Sequence, residues 1–216
     1  MSPRHALRSG PRSRYRAVAA AACLLTVVGA MAVSALGVAS LHPHGAGPPD
    51  HGQLPDFSLI DHRGQPFTRH ELAGSVWVAD FIFTRCAGQC PLMTARMASI
   101  QQAFAREPDV QFVSFTVDPS HDTPEVLAAY ANHHGAHTGK WRFITGDPQA
   151  MTALARTGFR LAVGEEEGSQ REPIAHSVRF VLVDRNGHIR GYYDAMDAHA
   201  MAQLREDTRA LLRRRP

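Results

Sequence analysis

Apolar residues follow two rhythms along this chain, with a stretch rich in Pro, Gly and His between them. From Ala17 to Leu41 no residue carries a charge; as a helix that run would extend roughly 37 Å, against a hydrocarbon core of about 30 Å. His42-Pro43-His44-Gly45-Ala46-Gly47-Pro48-Pro49-Asp50-His51 follows and has the composition of a tether. From residue 54 onward, short β-branched and aromatic runs alternate with segments of helical spacing.

The alternation predicts elements in order. Phe57 to Ile60 and Pro66 to Thr68 flank Asp61-His62-Arg63-Gly64 as a hairpin, and Val76 to Phe83 reads as a buried strand. A helix over Pro91 to Arg106 places Leu92, Met93, Met97, Ile100 and Phe104 at helical spacing. Val110 to Val117 is a second buried strand, and Thr123 to His134 a second helix with Thr123 as N-cap and Pro124 as its first residue. Trp141 to Thr145 predicts a strand, Pro148 to Phe159 a helix, and Glu165 to Gly168 an acidic loop. His176 to Val183 and His188 to Tyr193 bracket an Asn-Gly turn, and Asp197 to Arg213 closes as a helix. The order describes an α/β, thioredoxin-like sandwich behind an N-terminal transmembrane helix.

Charge sharpens the division. Arg4, Arg8, Arg12, Arg14 and Arg16 precede the apolar run, and no acidic residue occurs before Asp50. The positive-inside bias then keeps the N-terminus in the cytoplasm and exports the domain. Expected boundaries are a basic tail over 1–16, an anchor over 17–41, a linker over 42–53 and the domain over 54–216. The whole chain carries +3, so without those five arginines the remainder carries −2, which gives no nucleic-acid surface. An Arg-rich, acid-poor start also suits mitochondrial targeting; the early span favours single-pass insertion in a bacterial cytoplasmic membrane, with the domain on the periplasmic side. Cys23 lies inside the apolar run, without the flanks of a lipoprotein cleavage site.

Chemistry concentrates in Phe83-Thr84-Arg85-Cys86-Ala87-Gly88-Gln89-Cys90-Pro91, directly after a buried strand. Two thiols one turn apart hold a soft metal or form a disulfide. Cys90 falls near a helix N-terminus, whose dipole is expected to favour the thiolate. In the predicted architecture the antiparallel strand beginning near His176 starts where the Cys-bearing strand ends, so His176 faces the loop.

Thirteen histidines supply other candidates. His42, His44 and His51 read as tether residues, and His133, His134 and His137 as surface residues after a helix. His121, Asp118 and Asp122 read as loop and cap formers, with Asp118 a candidate to influence the site indirectly. Met93 and Met97 share a helix face and are read as core.

Together with Thr116-Val117-Asp118-Pro119-Ser120-His121-Asp122-Thr123-Pro124, and with His176-Ser177 leading into Val178 to Asp184, the cysteine stretch resembles the Sco/SenC family of copper-binding assembly proteins for cytochrome c oxidase. The resemblance covers about residues 53 to 212. It implies that Cys86, Cys90 and His176 ligate Cu(I) or Cu(II), and that copper delivery or cysteine reduction prepares the binuclear copper site of the oxidase. The implied partners are the copper-bearing oxidase subunit or another copper chaperone. Members often carry an acidic residue before the histidine; here Ala175 stands there.

Two thiolates and an imidazole form a soft set suited to Cu(I). Zinc tolerates the same cysteine spacing but ordinarily needs a fourth ligand. The rival reading is a membrane-tethered thiol-disulfide oxidoreductase cycling Cys86 and Cys90. Three residues between the cysteines, and His176 where common thioredoxin-type enzymes carry a proline, weigh against it. No Thr-x-x-Cys motif supports a peroxidase. A purely structural binding module would have cysteines that neither titrate nor bind metal.

Overall fold

The computed structural model describes residues 47–136, 139–161, 164–165, 174–175 and 177–214. The expected basic tail, the anchor and residues 42–46 of the linker lie outside these residues, as do Cys23, His42, His44, His137 and His176. Among the described residues no helix is long and apolar enough to cross a membrane.

Strand β3 (Val76–Ile82) is the axis of the domain. All seven of its residues are buried, which explains its nearly continuous apolar sequence: a strand covered on both faces has no polar side to present. It pairs in parallel with β4 (Val110–Thr116), which pairs in parallel with β5 (Trp141–Thr145). On its other edge β3 pairs antiparallel with β8 (Arg179–Val183), through Trp77 with Val183 and Ala79 with Val181. The hairpin of β1 (Ser58–Asp61) and β2 (Pro66–Thr68) joins β5, and β9 (Ile189–Asp194) joins β8. The seven-stranded order is β2-β1-β5-β4-β3-β8-β9.

Helices α1 (Cys90–Ala103), α2 (Pro124–His133) and α4 (Ala198–Arg213) cover one face. Their core includes Met93, Met97, Ile100, Leu127 and Leu204 packed on Val76, Val78 and Ile82. Both methionines are fully buried, as read from the sequence. The other face buries Trp77, Phe81, Phe115 and Phe159 together with Leu59 of β1 and Phe67 of β2, against the helix α3 (Pro148–Ala153) and its continuation. Phe81 stacks on Phe115 with ring centroids 5.2 Å apart and meets Phe159 edge-on at 5.2 Å.

Local chemistry sets the ends of the elements. Asp147 accepts from Ala150 N at 2.9 Å and Asp197 from His199 N at 2.9 Å, each capping a helix. Thr123 caps α2 through Val126 N, with Pro124 next, as expected. In the β8–β9 turn, Asp184 Oδ1 accepts from the backbone N–H groups of Asn186 and His188, and Gly187 takes φ 81°, which glycine adopts without strain.

Three expectations need correction. The helix predicted to Phe159 stops as an α-helix at Ala153, and Leu154–Gly158 form a π turn. Phe159 N bonds Leu154 O at 2.8 Å, and the wider turn directs Leu154, Ala155, Phe159 and Leu161 all into the second core. The strand predicted from His176 begins at Arg179. The segment predicted as an acidic loop from Glu165 instead starts with a two-residue ladder, β6 (Gly164–Glu165) with β7 (Ile174–Ala175); so short a ladder leaves no periodic signal in a sequence.

Phe81→Ala is expected to destabilise the domain by about 3–5 kcal/mol, because three packed rings lose their common member and leave a cavity. Urea denaturation of the chain from residue 47 measures it; a loss under about 1 kcal/mol would mean that the ring cluster is not a packed core.

Candidate metal and thiol site

The parallel pair β3–β4 ends at one pole of the sheet, and the loop after each strand is held by the other. Val117 N bonds Ile82 O at 2.8 Å, extending the ladder just past the strands. Beyond it, Asp122 is fully buried and gathers the surrounding donors. It accepts from Thr84 N at 3.1 Å, from Thr84 Oγ1 at 2.5 Å and from Thr116 Oγ1, while His121 Nδ1 lies 3.0 Å from Oδ1. Arg85 donates through Nε (3.1 Å) and Nη2 to Asp118 Oδ2. The two residues before Cys86 are thus fixed by side chains from the loop after β4.

Cys86 follows in a tight turn, its N–H bonding Phe83 O at 3.2 Å, and its side chain is nearly buried at 7 % exposure. Ala87, Gly88 and Gln89 are exposed. Cys90 begins α1 with Pro91 beside it and is 0 % exposed. Neither cysteine is in a disulfide, and the two thiols lie near enough for a side-chain hydrogen bond to bear on Cys90. The pair is therefore a hidden one beneath a polar, exposed lip.

Burial overturns the expected effect of the helix N-terminus on Cys90. Desolvation pushes the Cys90 thiol far above its ordinary value, the Phe83 backbone partly opposes this, and the neighbouring Cys86 and Asp80 charges add to the rise. Cys90 is held as a thiol at neutral pH, and a metal ion or an oxidant must displace its proton.

Asp80 is the residue that reading the pattern missed. It lies in the middle of β3, fully buried, and neither carboxylate oxygen has a hydrogen-bond partner among the described residues. Desolvation raises its pKa to about 7, with Ser114, level with it on β4, giving slight relief. Trp141 Nε1 already donates to that serine hydroxyl at 2.9 Å. Tyr130, whose hydroxyl meets Thr94 Oγ1 at 2.8 Å, is pushed up to about 12 by burial, and the Cys90 and Asp80 charges add to the rise. A single Asp in an otherwise apolar strand was the available signal.

The other candidates sort clearly. Asp118, His121 and Asp122 bring one ligand atom each within 4.8 Å, but the carboxylates are engaged by Arg85, Thr84 and Thr116, which makes the group a clamp. His133 is exposed, and His134 packs on Tyr130 with centroids 4.3 Å apart. His51 packs against Tyr192.

A mixed sheet with three helices on one face and a CxxxC loop at the end of the central strand defines a thioredoxin-like α/β protein with a buried thiol pair. The SCO1/SenC family model matches residues 47–213, and the chain belongs to that family. A SCO1/SenC family lipoprotein from Bacillus anthracis is 35 % identical, with a TM-score of 0.70 over 77 % of this chain and 99 % of that one. BsSco, described as a member of the Sco family of cytochrome c oxidase assembly proteins with a disulfide switch, is 28 % identical, with a TM-score of 0.63 over 76 % and 96 %. Copper-bound ScoI of Arabidopsis thaliana, 23 % identical with a TM-score of 0.63 over 75 % and 99 %, shares the fold.

Asp80→Asn is expected to stabilise the domain, and more so at higher pH. The folded-state pKa is raised from 3.8 to about 7, so the carboxyl costs nothing below its unfolded pKa. The cost grows as pH rises and is complete above about 7. The gain from the substitution at pH 8 should exceed that at pH 5 by about 2 kcal/mol. Denaturation at both pH values reads it, and a gain independent of pH would show that Asp80 does not titrate in this range.

Proposed function

We propose that this chain is a membrane-anchored copper metallochaperone that holds copper through Cys86, Cys90 and His176 and assists assembly of the binuclear copper site of cytochrome c oxidase. The carrying observation is the hidden thiol pair at the clamped end of β3: two soft donors, close together and screened from water. Two thiolates and an imidazole suit Cu(I) in low coordination. The third donor, His176, is proposed from the family resemblance, three residues before β8, which pairs with the Cys-bearing strand. BsSco is an oxidase assembly protein and Arabidopsis ScoI binds copper, which supports the same cargo and an oxidase copper-bearing subunit, or another copper chaperone, as partner.

Loading the pair requires the loss of the Cys90 proton. A carboxyl that titrates near neutrality under the same helix gives that proton a nearby acceptor. The uncharged run over 17–41, with five arginines before it, supports single-pass insertion in a bacterial cytoplasmic membrane with the domain on the periplasmic side.

A second reading keeps the same residues. The thiols are near enough to interact, and BsSco has a disulfide switch, so Cys86 and Cys90 acting as a thiol-disulfide couple on target cysteines is the alternative.

Anaerobic copper titration of the full-length protein in detergent is expected to give one copper per chain, with affinity falling as pH drops because protons compete for the thiolates. Oxidation to the Cys86–Cys90 disulfide should abolish tight binding. His176→Ala should weaken binding by orders of magnitude and fail to support oxidase assembly while its cysteines still cycle. Full complementation by that variant, alongside failure of Cys86→Ser, would leave thiol reduction as the function. Carbonate extraction checks the anchor: retention in the membrane pellet is expected, and release would remove it.

A further inference from the structure

On the face opposite the three helices, a cavity of about 270 Å³ is lined by His51, Arg160, Arg179 and Tyr192. Among the described residues no acidic side chain lines it. We propose that this cavity is a binding site for a phosphate-type dianion, held between the guanidinium groups of Arg160 and Arg179. The proposal does not depend on the copper reading, and its test uses metal-free protein.

Three features carry it. The first is the pair of converging cations. Burial raises the Tyr192 phenol, and the charges of both Arg160 and Arg179 oppose that rise, so both guanidiniums lie close to the same side chain. Two like charges sharing one small cavity repel each other, and a dianion between them converts the repulsion into paired, charge-assisted hydrogen bonds.

The second is that no carboxylate among the described residues pairs with either guanidinium, as is also true of Arg96, Arg106, Arg156, Arg205, Arg209 and Arg213. Asp194 stands opposite Arg179 in the β8–β9 ladder, but its Oδ1 accepts from Met196 N at 2.7 Å. Arg160 donates Nη1 to His51 O at 2.7 Å, which fixes its head at the cavity wall and leaves further N–H groups on the fork. The Tyr192 hydroxyl is buried at that wall with no hydrogen-bond partner among the described residues.

The third is the backbone that presents Arg160. It follows the π turn and takes φ 56°, the left-handed region, and is the sole non-glycine residue to do so among those described. Leu161 N bonds Ala155 O at 3.0 Å across it, the pattern of a helix end at which glycine sits with no steric cost. The cap explains the conformation. The arginine there ties down His51 O and lines the cavity.

The cavity is larger than a bare phosphate needs, which suits a phosphomonoester as well as the inorganic ion. It also lies where the chain leaves α3 and re-enters β8, so a bound dianion joins the two residues that flank the segment carrying His176.

The test is titration of inorganic phosphate, followed by calorimetry, into metal-free full-length protein in detergent, with chloride holding the ionic strength constant. Saturable binding of one phosphate is expected. Arg179→Gln, at an exposed position, should weaken it by about tenfold or more with no change in the unfolding temperature. Arg160→Gly, which suits the left-handed backbone, should weaken it similarly while the fold is retained. Glycerol 3-phosphate run in parallel distinguishes the sources: tighter binding than phosphate assigns an organic monoester, equal binding a bare oxyanion. Absence of saturable binding, or equal binding by wild type and Arg179→Gln, would overturn the proposal; the latter would assign the phosphate to the N-terminal arginines.

Discussion

Complete burial of one strand is the constraint on which the rest of the structure depends. Because β3 is covered on both faces, it must be apolar, it must be central, and each of its neighbours must bring a layer of side chains. The parallel partner β4 requires a crossover, which is α1, and the crossover starts from the loop at the C-terminal end of β3. The cysteines occupy that loop and the first residue of that crossover. The thiol pair is therefore set at the point where a rigid strand hands the chain to a rigid helix, and its position is as well fixed as the core itself.

The surroundings make Cys90 reluctant. Burial opposes the Cys90 thiolate more strongly than the helix N-terminus favours it, and Asp80 beneath the helix adds a charge of the wrong sign. Such an arrangement disfavours spontaneous reaction of Cys90 with small solvent-borne oxidants, since the thiolate is the reactive form. A metal ion bound there would change the balance, because it would take the place of the Cys90 proton and offset the burial of negative charge. The Asp122 clamp then matters for geometry: it holds Thr84, and through it the turn into Cys86, against a loop from the neighbouring strand.

Most of the fold was legible because its signals were local. Val76 to Phe83 announced a buried strand, Thr123-Pro124 announced a helix start, and the Asn-Gly turn announced the β8–β9 hairpin; each rests on a few adjacent residues. The π turn at Leu154–Gly158 was not legible, since the helical pattern continues through it and only packing against the second core selects the wider turn. The cysteines were legible as a pair, yet the protonation of Cys90 was not. Dipole and burial push it in opposite directions, and sequence spacing reports the first but not the second. Asp80 was passed over for a related reason: inside an apolar run, its significance depends on whether Ser114 across the strand can reach it.

The topology also gives the site a direction. The described chain enters beside the β8–β9 turn, where Leu54 N bonds Gly187 O at 2.9 Å and His51 N bonds Ile189 O at 2.8 Å. Val183, at the end of β8, is level with Trp77 near the start of β3, so the entry lies at the N-terminal pole of the central strand. The cysteine loop lies at the other pole, separated by the length of a seven-residue strand, or about 23 Å at roughly 3.3 Å per residue. The described chain thus begins at the end of β3 remote from the thiols. The exposed lip of Ala87, Gly88 and Gln89 lies at the opposite pole, so residues 47–54 do not stand between the solvent and the loop that carries the cysteines.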